Sequence, residues 1–249
     1  MYEIRVGLGS CGIAAGGLDV LDSITEETQG MDVKIYPTGC VGMCYKEPLV
    51  DITDEEGRTV TYGGVKPSMI KEIVKSHIIE GKPLLKWVVK DTKGEKKSDN
   101  YLDKQVKIVL RNCGEINPED IQDYIDAGGY KAIQKALAMD PYEIIEQIKQ
   151  SGLRGRGGAG FPTWLKWKNT KEAPGTPKYI ICNADEGDPG AFMDRSVLEG
   201  DPHSVLEGMM IAGYTIGAEE GIIYARAEYP IAIKRLKTAI KQAQQEGYL

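Results

Sequence analysis

The protein has 249 residues, of which 41% are hydrophobic and 27% charged, as in ordinary globular chains of one large or two modest domains. Its net charge of −6 disfavours a phosphate backbone as the main partner, so we expect no nucleic-acid partner. No apolar run approaches the roughly 20 residues that span a bilayer, and the first residues lack a signal-peptide pattern. We therefore expect a cytoplasmic protein without direct membrane insertion. Five cysteines, an odd number, favour free thiols or metal ligation over a disulfide framework.

The first region, residues 1–89, has the pattern of a small α/β domain. Alternating apolar residues predict a first strand, and apolar residues at three-residue spacing then predict a helix that ends near Gly30. A second strand follows around residues 33–35 and leads into a turn-rich loop. Two short apolar segments flank a turn at residues 55–57, which indicates a hairpin, and residues 67–79 are predicted to form a helix.

Three cysteines of this region lie in two loops that follow predicted strands. Cys11 stands after the first strand, and Cys40 and Cys44 stand after the second with a Cys-x3-Cys spacing. Gly39 and Gly42 lie beside the second pair and leave space for an inorganic group. Thiolates are the ligands of iron–sulfur clusters and of zinc, so we predict that Cys11, Cys40 and Cys44 are metal ligands.

The stretches that carry these cysteines, residues 9–12 (GSCG), 38–44 (TGCVGMC) and 48–50 (PLV), resemble the thioredoxin-like [2Fe-2S] ferredoxin found in complex I and in related NADH-linked hydrogenases and formate dehydrogenases. The resemblance implies a thioredoxin-like fold and a [2Fe-2S] cluster. That family uses four cysteines, and Val6 stands where the first is expected. Three interpretations stay open: a cluster with a substitute ligand such as Ser10, a cluster-free domain that serves packing and subunit docking, or zinc on three thiolates.

The connector, residues 90–150, begins with the best linker candidate of the chain, the polar stretch 90–104. Alternating apolar residues predict a strand at residues 106–110, and two short helices follow. We expect Cys113 to be a small buried residue. Asp140, followed by proline, is predicted to cap a helix that leads into the next region.

That region opens with a glycine-rich loop at residues 152–160, in which Arg154 and Arg156 stand between glycines. Backbone N–H groups in such a loop can form an anion-binding nest, and arginine adds forked donors suited to phosphate. A flexible linker or a nucleic-acid-binding tail is the alternative, but the block does not repeat and the chain is acidic. The pattern therefore favours an ordered loop that holds a phosphate-bearing cofactor or nucleotide.

An apolar run at residues 179–182 predicts a buried strand, and polar residues follow it directly. The loop at residues 183–190 contains an amide and several carboxylates. Side chains just past a strand end are where α/β folds usually bind ligands, although a capped, solvated loop is the alternative. Helices beginning near Asp201 and at Pro230, with a strand at residues 221–227 between them, complete an α/β pattern.

Four stretches here resemble the FMN- and NADH-binding flavoprotein subunit of complex I and of related hydrogenases and formate dehydrogenases: residues 152–163, 165–167, 182–186 and 226–229. The resemblance implies that the protein binds FMN and NAD and passes electrons between nicotinamide and iron–sulfur centres. The flavin carries that chemistry, so no catalytic side chain is predicted. The cofactor-binding residues that the resemblance implies are Gly155, Arg156, Gly157, Gly158, Phe161, Lys166, Asn183, Asp185, Glu186 and Asp188. Phe161 would stack on the nicotinamide nucleotide, and Glu186 and Asp188 would border its site.

The sequence departs from that family in two positions, Asn169 where many members have phenylalanine and Asp188 where many have glutamate. The family's flavoprotein also continues past the last residue of this chain, which we therefore expect to be its N-terminal portion. The predicted domains are a ferredoxin-type domain (1–89), a linker with connector helices (90–150) and the first part of the flavin-binding domain (151–249). The expected partners are iron–sulfur, hydrogenase, formate dehydrogenase or complex-I-type subunits. A non-catalytic docking or assembly module is the alternative function.

Overall fold

The computed structural model describes residues 1–94 and 104–249, and the chain divides into two compact units. The first unit comprises Met1–Asp123 and Ser196–Asp201, and the second comprises Tyr124–Arg195 and Pro202–Leu249. The first elements in chain order are β1 (Tyr2–Gly7), α1 (Ser10–Ala14), α2 (Gly17–Glu27), β2 (Val33–Thr38), β3 (Val50–Thr53), β4 (Thr59–Tyr62), α3 (Pro67–Ile73) and β5 (Val88–Asp91). The elements that follow are α4 (Ile121–Asp126), α5 (Lys131–Leu137), α6 (Pro141–Gln150), α7 (Thr163–Glu172), β6 (Tyr179–Ala184), α8 (Met193–Gly200), α9 (Pro202–Ile216), β7 (Glu220–Ala225) and α10 (Pro230–Gln245).

The first unit is built on a five-stranded sheet in the order β2-β1-β3-β4-β5. Strands β1 and β2 are parallel, whereas the pairs β1–β3, β3–β4 and β4–β5 are antiparallel. A parallel β1–helix–β2 unit, followed by an antiparallel hairpin and a helix, is the thioredoxin-like arrangement that the sequence predicted. The fold class, α/β with a thioredoxin-like first part, is therefore confirmed.

The core of this unit lies between the sheet and helices α2 and α3. Val6 of β1 and Val20 of α2 are fully buried, and Ile70 and Ile73 of α3 are each 1% exposed. Burying an aliphatic side chain of this size contributes roughly 1.5–3 kcal/mol to folding. These contacts fix the end of β1, from which the chain turns into the first cysteine segment.

Three details of the first unit differ from the sequence predictions. Cys11 lies in the short helix α1 and not in a loop. The strand predicted at residues 106–110 is absent from the described structure, and its Val106 and Ile108 are 87% and 72% exposed. The predicted linker begins inside β5, which runs to Asp91 and pairs with β4, while its residues 95–103 lie outside the described residues.

The second unit contains the two parallel strands β6 and β7, with α9 packing against both. Helix α6 begins as predicted, because the Asp140 carboxylate accepts a hydrogen bond from the N–H of Tyr142 and Pro141 occupies the first turn. Strand β6 is not buried on both faces as predicted, since Tyr179 and Ile181 are 45% and 62% exposed. Among the described residues, no helix combines the length and apolarity needed to cross a membrane.

Candidate functional site

Cys11, Cys40 and Cys44 come together at one end of the first sheet. Their Sγ atoms all lie within 4.8 Å of one another, and those of Cys40 and Cys44 are 3.6 Å apart. The fold explains this, because β1 and β2 are parallel neighbours in which Gly7 pairs with Thr38, so the segments that follow the two strands leave the sheet together. The three predicted metal ligands thus form one candidate metal site.

The surroundings of the three thiols differ. Cys40 is 4% exposed, and burial raises the pKa of its thiol. The backbone N–H of Gly42 donates a hydrogen bond to Cys40 Sγ at 3.3 Å and lowers that pKa, so it partly offsets the effect of burial. Cys44 is exposed and Cys11 half-buried, so the site opens to solvent on the Cys44 side. A bound cation would hold all three sulfurs as thiolates.

The residues do not supply the four ligands that a [2Fe-2S] cluster normally takes. Val6, where the first of the family's four cysteines is expected, is a fully buried core residue of β1 that pairs with Val50. Within the described structure, no fourth histidine, cysteine, aspartate or glutamate joins the group. The hydroxyl of Ser10 is already held by Glu199, to which it donates at 2.5 Å. Cys113 is buried as expected, with its thiol 3.5 Å from the carbonyl oxygen of Ser196.

Glu199 on α8 anchors the segment that carries Cys11. Its carboxylate, 1% exposed, accepts hydrogen bonds from the backbone N–H of Ser10 at 2.8 Å and from the Ser10 hydroxyl. The next residue, Gly200, packs so closely on Gly39 that a Cβ on Gly39 would lie 2.5 Å from the Gly200 Cα. Residues 199 and 200 therefore brace both cysteine segments. The sequence did not reveal them, because Glu199 lies 189 positions from Ser10 and α8 was not predicted.

A polar cavity of about 110 Å³ lies beside the loop between Cys40 and Cys44. It is lined by Thr38, Glu47 and Asp51, and one side-chain oxygen of each has no hydrogen-bond partner within the described residues. A polar space of this size accommodates ordered water that would satisfy these oxygens. Burial raises the pKa of the Glu47 carboxyl to about 7.

The glycine-rich loop of the second unit has internal hydrogen bonds, which agree with the predicted ordered loop. Its two arms are joined by hydrogen bonds from Gly155 N to Phe161 O at 2.8 Å and from Thr163 N to Leu153 O at 3.1 Å. The guanidinium of Arg154 donates to the carbonyl of Gly160 at 2.9 Å and closes the loop from inside. Arg154 therefore closes the loop, and the groups at the tip of the loop remain accessible for contacts with other molecules.

At the tip of the loop, no side chain covers the main chain. A Cβ on Gly157 would meet no atom within 4 Å, and the same holds for Gly158, whose φ of 95° favours glycine. Within the described part of the chain, the N–H groups of Gly157 and Gly158 have no hydrogen-bond partner. Two free N–H groups at an exposed turn are suited to an anion such as a phosphate group.

The acidic loop follows β6 and is tied to the end of β7. Arg226, just after β7, donates to the carbonyl of Glu186 at 2.7 Å and lies 4.0 Å from the Asp185 carboxylate. The Glu186 side chain is 9% exposed and accepts hydrogen bonds from the N–H groups of Asp194 and Arg195 at 3.0 and 3.1 Å. Glu186 therefore caps the start of α8, a structural role that its position in the sequence did not reveal.

The remaining predicted cofactor residues have exposed side chains or, for glycine, an exposed backbone. They are Gly155, Arg156, Gly157, Gly158, Phe161, Lys166, Asn183, Asp185 and Asp188. Asn183 accepts a hydrogen bond from the N–H of Asp185 at 3.1 Å, which shapes the turn after β6. Their assignment to FMN and NAD stays a prediction, as does that of Glu186.

Comparison with known proteins shows what the second part of the chain is similar to. Residues 148–249 match the family model of the Nuo51 FMN-binding domain. The resemblance to flavoprotein subunits of this kind, predicted from the glycine loop and the acidic loop, is thus confirmed.

Individual relatives fit the same class. The NADP-reducing hydrogenase subunit HndC of Solidesulfovibrio fructosivorans is 59% identical over 146 residues, which cover 59% of this chain and 30% of that protein. The NAD-reducing hydrogenase HoxS subunit alpha of Cupriavidus necator is 33% identical over 219 residues, covering 86% of this chain and 34% of that protein. A thioredoxin-like [2Fe-2S] ferredoxin from Aquifex aeolicus is 25% identical, with a TM-score of 0.34, over 39% of this chain and 96% of that one. The chain spans about a third of the length of the curated relatives it matches.

Proposed function

We propose that the protein is a flavoprotein-type subunit, or part of one, that binds FMN and NAD(H) and passes electrons between nicotinamide and iron–sulfur centres. The observation that carries this proposal is the match of residues 148–249 to an FMN-binding family, in the stretch where the loop tip exposes free N–H groups. When bound, FMN would supply hydride transfer with NAD(H) and one-electron transfer to iron–sulfur centres. Partner subunits of a hydrogenase, formate dehydrogenase or complex-I type, in the cytoplasm, would supply the acceptor.

In this proposal the residues of the second unit bind and orient the cofactors. The N–H groups of Gly157 and Gly158 hold the flavin phosphate, and the charged side chains of Arg156 and Lys166 attract it. The ring of Phe161, 44% exposed, is available to stack on a nucleotide. Asn183 and Asp185, at the carboxyl end of β6, provide polar groups where α/β folds commonly place ligands.

The proposed domain organisation, with a ferredoxin-type domain over residues 1–89, a connector over 90–150 and the flavin-binding part from 151, accompanies this function. A docking or assembly module is the second candidate. It is favoured by the exposed apolar face of the second sheet, where the paired residues Ile181 and Ile222 are 62% and 48% exposed. Parallel sheets are normally covered on both faces.

A flavin titration of the full 249-residue chain, followed by the quenching of FMN fluorescence, separates the two candidates. The electron-transfer proposal requires saturable FMN binding that Gly157→Leu weakens at least about tenfold, because a side chain at the loop tip would occupy the phosphate position. Gly175→Leu is the matched control, since a Cβ there also meets nothing within 4 Å and neither glycine has a positive φ. Equal affinities for the wild type and Gly157→Leu, or no FMN binding by the chain, would contradict the proposal and favour the docking module.

A further inference from the structure

The three thiols lie close enough together to share one metal ion. In a tetrahedral zinc site with bonds of about 2.3 Å, two thiolate sulfurs stand about 3.8 Å apart. Here the Cys40 and Cys44 sulfurs are 3.6 Å apart, and Cys11 completes a set in which no separation exceeds 4.8 Å. Small side-chain adjustments therefore bring all three sulfurs onto one ion.

A two-iron cluster needs a different arrangement. It places its ligands in pairs on two irons, so that sulfurs on different irons stand farther apart than sulfurs on the same iron. Such a cluster also needs a fourth ligand, and the position that would supply it is the buried strand residue Val6. In the described part of the chain, the group of three sulfurs lacks this fourth ligand.

We propose that Cys11, Cys40 and Cys44 bind a single zinc-class ion whose fourth coordination position is taken by an exogenous donor, water or hydroxide. Protein ligands of zinc are thiolate, imidazole and carboxylate, and within the described residues no fourth group of these types joins the three cysteines. The exposed side chain of Cys44 marks the side from which solvent reaches the ion. Three protein ligands and one open position form the coordination pattern of catalytic rather than structural zinc sites.

The scaffold around the thiols suits a preformed site. The Gly42 N–H donates to Cys40 Sγ, as it would to a thiolate ligand. Glu199 fixes Ser10, and therefore the start of the helix that carries Cys11. Neither the ligands nor these supporting contacts include the glycine loop, so this site is independent of the proposed flavin function.

The test uses the full chain and Co²⁺ as a spectroscopic probe of the zinc site. Metal-free protein is titrated anaerobically with Co²⁺, and the thiolate-to-cobalt charge-transfer band and the ligand-field bands are recorded. We expect one Co²⁺ per chain, intense ligand-field bands typical of a tetrahedral ion, and displacement of the probe by one equivalent of Zn²⁺. Added imidazole should shift these bands without releasing Co²⁺, because it replaces the exogenous ligand.

Variants assign the ligands. Cys11→Ser, Cys40→Ser and Cys44→Ser should each weaken Co²⁺ binding by more than about tenfold, the lower end of the loss caused by changing a ligand's supporting residue. Cys182→Ser, in the second unit and outside the cluster, is the matched control and should leave the spectrum unchanged. Circular dichroism of each metal-free variant shows whether it is folded.

Two results would overturn the proposal. The first is a protein that, after anaerobic incubation with ferrous iron and sulfide, holds two irons and two sulfides per chain that depend on the three cysteines. The second is a Co²⁺ complex that survives in folded Cys11→Ser, or whose bands do not respond to imidazole, since the ion would then lack either the Cys11 ligand or the open position.

Discussion

Removing the Glu199 carboxylate should destabilise the first unit and weaken its metal site together. Glu199 is 1% exposed and accepts hydrogen bonds from the N–H of Ser10 at 2.8 Å and from its hydroxyl at 2.5 Å. A hydrogen bond to a charged group contributes about 1.5–3 kcal/mol, so Glu199→Ala should lower the free energy of unfolding by about 3–5 kcal/mol. Glu199→Gln keeps one acceptor oxygen and should cost about 1–2 kcal/mol.

A double-mutant cycle separates this contact from a general loss of packing. Ser10→Ala removes the hydroxyl alone, and contacting residues of this kind show interaction energies of about 0.5–3 kcal/mol. Urea denaturation followed by circular dichroism gives the unfolding free energies of the wild type, the two single variants and the double variant. The same proteins titrated with Co²⁺ should show affinities about 10–100-fold weaker for Glu199→Ala, as for other residues that orient a metal ligand.

Glu72→Gln is the control, because Glu72 pairs with Lys86 on the surface and both side chains are about half exposed. Exposed pairs of this kind contribute about 0–1 kcal/mol, so this variant should keep both its stability and its Co²⁺ affinity. If the effects of Glu199→Ala and Ser10→Ala are simply additive, or if Glu199→Ala binds Co²⁺ as tightly as the wild type, Glu199 does not position the Cys11 segment.

Three further predictions concern the same unit and use urea denaturation. Burial raises the pKa of Glu47 from 4.5 to about 7, so the folded state loses stability as the pH rises through this interval. Glu47→Gln should remove about 1–3 kcal/mol of that loss. Parallel plots of unfolding free energy against pH for the two proteins would show that Glu47 is not the group responsible. Burial lowers the pKa of His77 from 6.5 to about 4, so stability should fall as the pH drops from 6.5 towards 4, and His77→Gln should flatten this decline; an unchanged slope would mean that His77 is not the group responsible. Gly39→Ala should lower the free energy of unfolding by about 1–3 kcal/mol, because its Cβ would lie 2.5 Å from the Gly200 Cα. The control is Gly175→Ala, whose Cβ meets no atom within 4 Å. Equal stability of the two variants would show that the structure adjusts around residue 39 without losing stability.

Local patterns were sufficient for strand β1 and helix α2 of the first unit. The alternation around Val6 and the helical spacing around Ile24 each reflect burial on one side of a regular element, and both residues lie in the core of the first unit. The sequence placed Cys11 after the first strand and Cys40 and Cys44 after the second. Their convergence follows from the structure, because these strands are parallel neighbours that end at the same edge of the sheet.

Tertiary contacts determined what the sequence did not reveal. The apolar alternation at residues 106–110 resembles a strand, yet in the described structure these residues form none, and Val106 is exposed. Glu186 was predicted to border the nicotinamide site, which stays a prediction, and the sequence did not reveal that its carboxylate caps α8 through Asp194 and Arg195. The role of Glu199 depends on a partner 189 residues away, which no local pattern records.

The two candidate sites differ in how far the chain itself organises them. The cysteine segments are held by a buried carboxylate and by the close packing of Gly39 on Gly200, so binding a metal ion there requires little further ordering. The glycine loop is closed only by its own hydrogen bonds, and its predicted ligand residues are exposed. Small-molecule sites usually bury roughly 70–90% of their ligand, and ordering or covering an open site costs binding energy. The chain should therefore bind a metal ion without assistance, whereas its affinity for FMN should rise when another polypeptide surface covers the loop.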